Sequence, residues 1–234
     1  MPHIANSLVL LVSLLIVGCV YQGGDISPAE RKFSWFSYLN GDDIRSSCAG
    51  SQEAQGIQAR FVYNGVYTEQ VRTYDLSYGS ASAPILTARV MGPADLSEWF
   101  AAEAGDLLAP WAGNVARTTL RDQDLDQLKR ALSSDGVLKA EKAGLELSSD
   151  DFYWLVSYCQ GDSFHYAAYR WPSEAFKGLA FAKLLAAWDM TDIAFNPPRQ
   201  TFLTEGHPKG LPVRTKFNLR AENNGLLGVS PLFK

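Results

Sequence analysis

The stretch from Phe152 to Trp171 constrains the fold more than any other part of the chain. Phe152 to Cys159 and Ser163 to Trp171 are rich in aromatic and β-branched residues, and Gln160-Gly161-Asp162 between them offers a glycine for a positive-φ turn position. Side chains alternate across a strand, so Phe152, Trp154, Val156 and Tyr158 share one face while Tyr153, Leu155, Ser157 and Cys159 share the other. Both faces are apolar, which predicts a central pair of strands.

A second hairpin is predicted from Ile57 to Tyr63 and Val66 to Leu76, turning at Asn64-Gly65, where both residues tolerate positive φ. Glu69, Arg72 and Asp75 interrupt the apolar positions of its second strand, as expected where one face meets water. Ile85 to Met91 adds a third strand before Gly92-Pro93, and Val115 to Leu120 a further one. Residues 94 to 111 carry Leu96, Trp99, Phe100, Leu107, Leu108 and Trp111 at loose spacing, which predicts short helical turns interrupted by Pro110. Two longer helices follow from three- and four-residue apolar spacing. One runs from Asp122 to Ser134, with Leu125, Leu128, Ala131 and Leu132 on one face, and one from Ser173 to Trp188. The fold class is therefore α+β, an antiparallel sheet of hairpins covered by two or three helices in a single domain. With 47% hydrophobic, 12% aromatic and 20% charged residues the chain has the composition of a folded protein.

The beginning of the chain obeys different rules. Leu8 to Val17 is an uninterrupted apolar run except for Ser13, too short for the roughly 20 residues of a spanning helix and of the length of a signal-peptide core. It ends at Ile16-Val17-Gly18-Cys19, which resembles the lipobox of bacterial lipoprotein precursors. The resemblance implies cleavage before Cys19 and palmitate-type acyl chains on that cysteine, each buried methylene contributing about 0.8 kcal/mol to membrane attachment. Val20 stands after the cysteine, where an Asp would imply retention in the inner membrane, so the implied place is the periplasmic face of the outer membrane. The region from Phe33 to Phe195 loosely resembles uncharacterised envelope lipoproteins of proteobacteria, which implies a location and no mechanism.

This reading divides the chain into a signal peptide (1–18), a Gly- and Pro-containing tether (19–32), the α+β domain (33–195) and a C-terminal tail (196–234). Ser27-Pro28-Ala29-Glu30 has the pattern of a helix start, and the aromatic cluster Phe33 to Leu39, ending at Asn40-Gly41, reads as the entrance to the domain. The tail has no sustained period and is predicted to be extended. It holds six Lys and Arg against two Glu, a net +4 that leaves −8 for the rest of a chain whose total is −4. A basic arm on an acidic body implies contact with an envelope protein or anionic surface, or folding back onto its own domain. The total charge is too modest to imply a nucleic-acid partner.

Chemistry is harder to find. With Cys19 acylated, Cys48 and Cys159 remain as an even pair in an oxidising compartment, which favours a disulfide over two separate buried thiols. Asp122, Asp124 and Asp126 imitate the start of a calcium loop, but Gln127 and Ser133 stand where its Gly and Glu belong. Three histidines, one of them His3, are too few for a multi-His metal centre, and no cofactor-binding motif is present. Asp42-Asp43 and Asp150-Asp151 are paired acids, but adjacent residues point to different sides, and turn or strand-edge roles account for them. The one arrangement with catalytic shape is Cys159 and His165. With a loop of residues 160 to 162 they fall diagonally on one face, although their apolar neighbours suit a core more than a reactive thiol. The expectation is a lipid-anchored, non-catalytic binding or assembly factor, and its competitor is a periplasmic hydrolase using Cys159 and His165.

Overall fold

The computed structural model describes residues 20–24, 28–50, 56–79, 82–92, 113–139, 144–200 and 217–231. The signal peptide expected over 1–18, Cys19 and the helical turns expected over 94–111 lie outside them. The chain is α+β, with a six-stranded antiparallel sheet, a small three-stranded sheet and five helices among the described residues. In order these are α1 (Pro28–Asn40), α2 (Asp42–Gly50), β1 (Ile57–Gly65), β2 (Gln70–Tyr78), β3 (Ile85–Met91), β4 (Asn114–Thr119) and α3 (Asp122–Ser134). Then come β5 (Leu145–Ser148), β6 (Phe152–Gln160), β7 (Ser163–Arg170), α4 (Glu174–Gly178), α5 (Ala180–Trp188), β8 (Phe217–Glu222) and β9 (Gly225–Pro231). The large sheet has the order β4-β3-β2-β1-β6-β7, the small one β5-β8-β9.

The large sheet is buried on both faces by different partners. Phe61, Tyr63, Tyr74, Leu76, Trp154 and Val156 lie under Leu125, Leu128 and Leu132 of α3 and Phe181 and Leu185 of α5. On the other face Val62, Val71, Tyr153, Leu155 and Tyr166 lie under Trp35, Tyr38 and Leu39 of α1 and Leu147, Phe217 and Leu219 of the small sheet. Phe181 fills the centre of the first layer, its ring 5.4 Å from Phe61 and 5.5 Å from Trp154. The expected helix over 173–188 is divided at Leu179, just after Gly178, and the backbone N–H of Phe181 donates to Asp135 Oδ2 at 2.9 Å. A side chain from the loop after α3 thus caps α5 from a distance.

Both hairpins exist, with corrected turns. Asn64 and Gly65 belong to β1, paired with Val71 and Gln70, and the turn is the four residues Val66 to Glu69. Tertiary contacts hold the Asn-Gly pair in the strand. Asn64 Nδ2 donates to the carbonyls of Ser149 (3.1 Å) and Asp151 (2.6 Å), and a Cβ on Gly65 would lie 2.9 Å from the Tyr63 ring. Replacing Asn64 with alanine is expected to cost about 1–3 kcal/mol, since it leaves buried polar groups without partners. Urea unfolding at equilibrium measures it, and a midpoint equal to wild type would refute this role. The second hairpin turns on Gly161-Asp162 alone, with Gln160 opposite Ser163. Its β6 is interior as expected, but β7 forms the sheet edge instead of a central strand.

Other expectations are corrected by packing. Arg72 does not meet water: it shares the face of Tyr63 and Tyr74 and is fully buried. The aromatic run Phe33 to Leu39 is part of a helix from Pro28 to Asn40, and α2 follows after one residue, Gly41. Gly41 has φ 67°, and a Cβ there would lie 2.3 Å from Ser157 Oγ. The described end of the tail is extended as expected, but as paired strands: residues 217–222 and 225–231 form β8 and β9, and β8 pairs with β5, so this part folds back on its own domain. Within the segment expected to be a tether, Tyr21 is buried in the core and Pro28 begins α1.

Candidate functional site

The polar half of the second sheet face forms a cleft of about 440 Å³ between β1–β4, α2 and the segment Gln22–Gly24. Its floor is set by strand register, because Arg60 on β1 lies directly opposite Asp75 on β2. Arg60 is 4% exposed and donates from Nε to Asp75 Oδ1 at 2.7 Å. Its Nη1 and Nη2 reach the two carboxylate oxygens of Asp43 at 2.8 and 2.9 Å, a bidentate pairing, and Nη1 also meets the Tyr38 carbonyl at 3.1 Å. The guanidinium lies 3.7 Å from the centre of the Tyr38 ring and 4.9 Å from that of Tyr21. Tyr38 donates its hydroxyl proton to Asp75 Oδ2 at 2.8 Å.

The helices position the acids. The Gly41 bend puts Asp42 and Asp43 in the first turn of α2, where a negative charge is favoured by the helix dipole. Asp42 accepts from Ser37 Oγ (2.7 Å), Asn40 Nδ2 (2.6 Å) and Arg45 Nη1 (2.9 Å), leaving Asp43 to reach Arg60. Burial raises the Tyr38 hydroxyl well above the ordinary phenol range, and the Asp75 carboxylate adds to this, so it remains a proton donor. Burial alone would favour loss of the Arg60 proton, but Asp75, Tyr38 and Asp43 more than offset it and hold the charge. Arg89 of β3 and Arg117 of β4 line the far side of the cleft with Thr87. Asp75 remains about one-third exposed, so a carboxylate acceptor and the cationic side chains of Arg89 and Arg117 border the same volume.

No protein-family model, curated protein or solved structure matches the chain.

The residues singled out from sequence are placed differently. Cys48 and Cys159 form a disulfide, with α-carbons 5.9 Å apart, joining α2 to β6. His165 pairs with Tyr158, and Cys159 with Phe164, so Cys159 and His165 point to opposite faces of the sheet. The expected diagonal needed a three-residue loop, and the two-residue turn moves His165 to the other face. With its sulfur bonded and the imidazole beyond the sheet, the Cys159–His165 pair of the hydrolase reading is not assembled.

The acidic pairs serve as local ties. Asp151 joins Arg170 at 3.0 Å and accepts from the Ser148 backbone N–H at 3.1 Å, just as Asp42 and Asp43 engage Arg45 and Arg60. Asp124 accepts from the Arg121 backbone N–H at 3.0 Å and caps α3, while Asp126 pairs with Lys129 at 3.5 Å. Among the described residues no group of three His, Cys, Asp or Glu could hold a metal ion, and no helix is long and apolar enough to cross a membrane. Within the basic C-terminal section, Arg199 pairs with Glu69 at 2.5 Å and Arg220 with Glu222 at 3.0 Å.

Sequence reasoning missed Arg60, Asp75, Arg89 and Arg117. The available signal was their spacing: Gln58 and Arg60, Asp75 and Ser77, and Thr87 and Arg89 recur at every second position on three successive strands. Such a pattern marks a shared polar face once pairing is known.

Proposed function

We propose that this is a lipid-anchored envelope protein with a non-catalytic binding or assembly role, held by acyl chains on Cys19 at the periplasmic face of the outer membrane. The apolar run ending at Ile16-Val17-Gly18-Cys19 supports the anchor and the place. The binding role rests on one observation, the polar cleft above Arg60, whose volume of about 440 Å³ lies within the range that small-molecule sites occupy. Its walls come from four strands, α2 and the segment after the anchor, so the cleft is held by the fold and not by a single loop. Guanidinium groups at Arg89 and Arg117 favour an acidic group on the ligand, and the Asp75 carboxylate favours a hydroxyl or ammonium donor beside it.

The test has two arms. Replacing Cys19 with serine should abolish lipid mass on the N-terminal peptide and move the protein out of the membrane fraction; identical partitioning of the two forms refutes the anchor. A photo-cross-linking amino acid at Ser77, on the cleft, should capture a ligand or partner in intact cells, while one at Gln127, on exposed α3, should not. Equal adducts from both positions, or none from Ser77, would refute the binding site.

A further inference from the structure

Only one residue separates Cys19 from a side chain locked into the domain. Tyr21 is 2% exposed, and its backbone N–H donates to Ser37 Oγ of α1 at 3.0 Å. Its ring meets that of Tyr38 edge-on at 5.1 Å, and its hydroxyl donates to the Gly24 carbonyl. Consecutive α-carbons are about 3.8 Å apart, so the Cys19 and Tyr21 α-carbons lie within about 7.6 Å whatever the conformation between them. The polar layer of one bilayer leaflet is itself about 5–8 Å deep.

These lengths leave no room for a gap. We infer that the domain lies flush on the bilayer, with the surface around Val20 and Gln22 set into the headgroup layer, so that the partner of this surface is the lipid bilayer itself. The inference rests on the proposed acylation of Cys19 and deepens it. One of the large apolar side chains left exposed is consistent with such a surface, since Val20, 46% exposed, directly follows the anchor. An apolar side chain in this position buries area at the boundary between headgroups and acyl chains. The cleft shares the segment Gln22–Gly24 with this surface, so that wall of it is kept close to the headgroups.

The full-length acylated protein tests this in vesicles of phosphatidylethanolamine and phosphatidylglycerol that contain headgroup-quencher lipids. A fluorophore is attached under non-reducing conditions to Gln22→Cys, and in a second preparation to Gln127→Cys on α3. Quenching should be several-fold stronger at position 22. A Gly-Ser insertion of about twelve residues between Val20 and Tyr21, with an end-to-end distance of about 20 Å, should reduce it several-fold while flotation with the vesicles is unchanged. Equal quenching at the two positions, or quenching at 22 that survives the insertion in protein that still floats, overturns the flush arrangement and leaves the anchor standing. Protein that neither floats nor carries lipid mass on its N-terminal peptide overturns both.

Discussion

Replacing Asp189 with alanine is expected to lower the unfolding free energy by about 3–5 kcal/mol, the cost of leaving a buried charge without its partner. The stranded charge is Arg72, whose side chain is 0% exposed against 5% for Asp189, with Nη1 and Oδ2 2.5 Å apart. Arg72 also donates to Gln70 Oε1 at 3.1 Å and to the Ile193 carbonyl, and its guanidinium lies 4.0 Å from the centre of the Phe195 ring. Asp189 accepts in addition from Tyr74 Oη (2.6 Å) and from the Thr191 backbone N–H (2.9 Å). Together they fasten the chain after α5 across β2. Replacing both partners with apolar residues, as in Arg72→Met with Asp189→Leu, should recover much of the loss, because it removes the desolvated charges along with the pair. A single variant that loses less than about 1 kcal/mol would show that Arg72 finds another partner or water.

The same pair predicts a pH dependence. Burial pushes the Asp189 carboxyl up, but hydrogen bonds from Thr191 and Tyr74 and the charge of Arg72 outweigh it and leave the pKa below the ordinary value. A depressed carboxylate contributes stability that is complete above the unfolded pKa of about 3.9 and is lost as the pH falls through the folded value. The gap between wild type and Asp189→Ala should therefore be level from about pH 5 upward and narrow below about pH 4. A gap that widens on acidification would contradict the assignment.

Removing the Cys48–Cys159 bridge is expected to cost about 4–5 kcal/mol, as the chain-entropy account gives for a loop of this length. The double variant Cys48→Ala and Cys159→Ala isolates the cross-link from reactions of a lone thiol. Its urea midpoint should fall, and its m-value should rise because the unfolded chain is no longer held compact. A loss under about 2 kcal/mol would mean that residual unfolded-state structure already supplies most of the constraint.

What could be read from the sequence, and what could not, follows from the range of each interaction. Strands β1, β3, β4 and β6 and helix α3 are visible because period-two and period-3.6 patterns are local, and the disulfide partners are visible once the lipobox resemblance sets Cys19 aside. Register is not local. One residue fewer in the turn before Ser163 sends His165 to the opposite face, and Asn64-Gly65 resembles a turn until Ser149 and Asp151 are found to hold it in a strand. The C-terminal hairpin did leave a trace, since Phe217, Leu219 and Ala221 alternate with Asn218, Arg220 and Glu222, but the surrounding Pro and Gly obscured it. The cleft needs the most distant information. Asp75 reads as a solvent-facing charge, and nothing local marks Arg60, until α1 and α2 bring Tyr38 and Asp43 over them.

The cross-link between α2 and β6 also alters what a break in the chain does. Residues 48 and 159 are 111 positions apart, and β1 to β5 and α3 all lie in the covalent ring they close. A protease that cuts once anywhere between them opens the ring without releasing a piece. Such a nicked molecule runs as one species on a non-reducing gel and separates into two only when thiol is added.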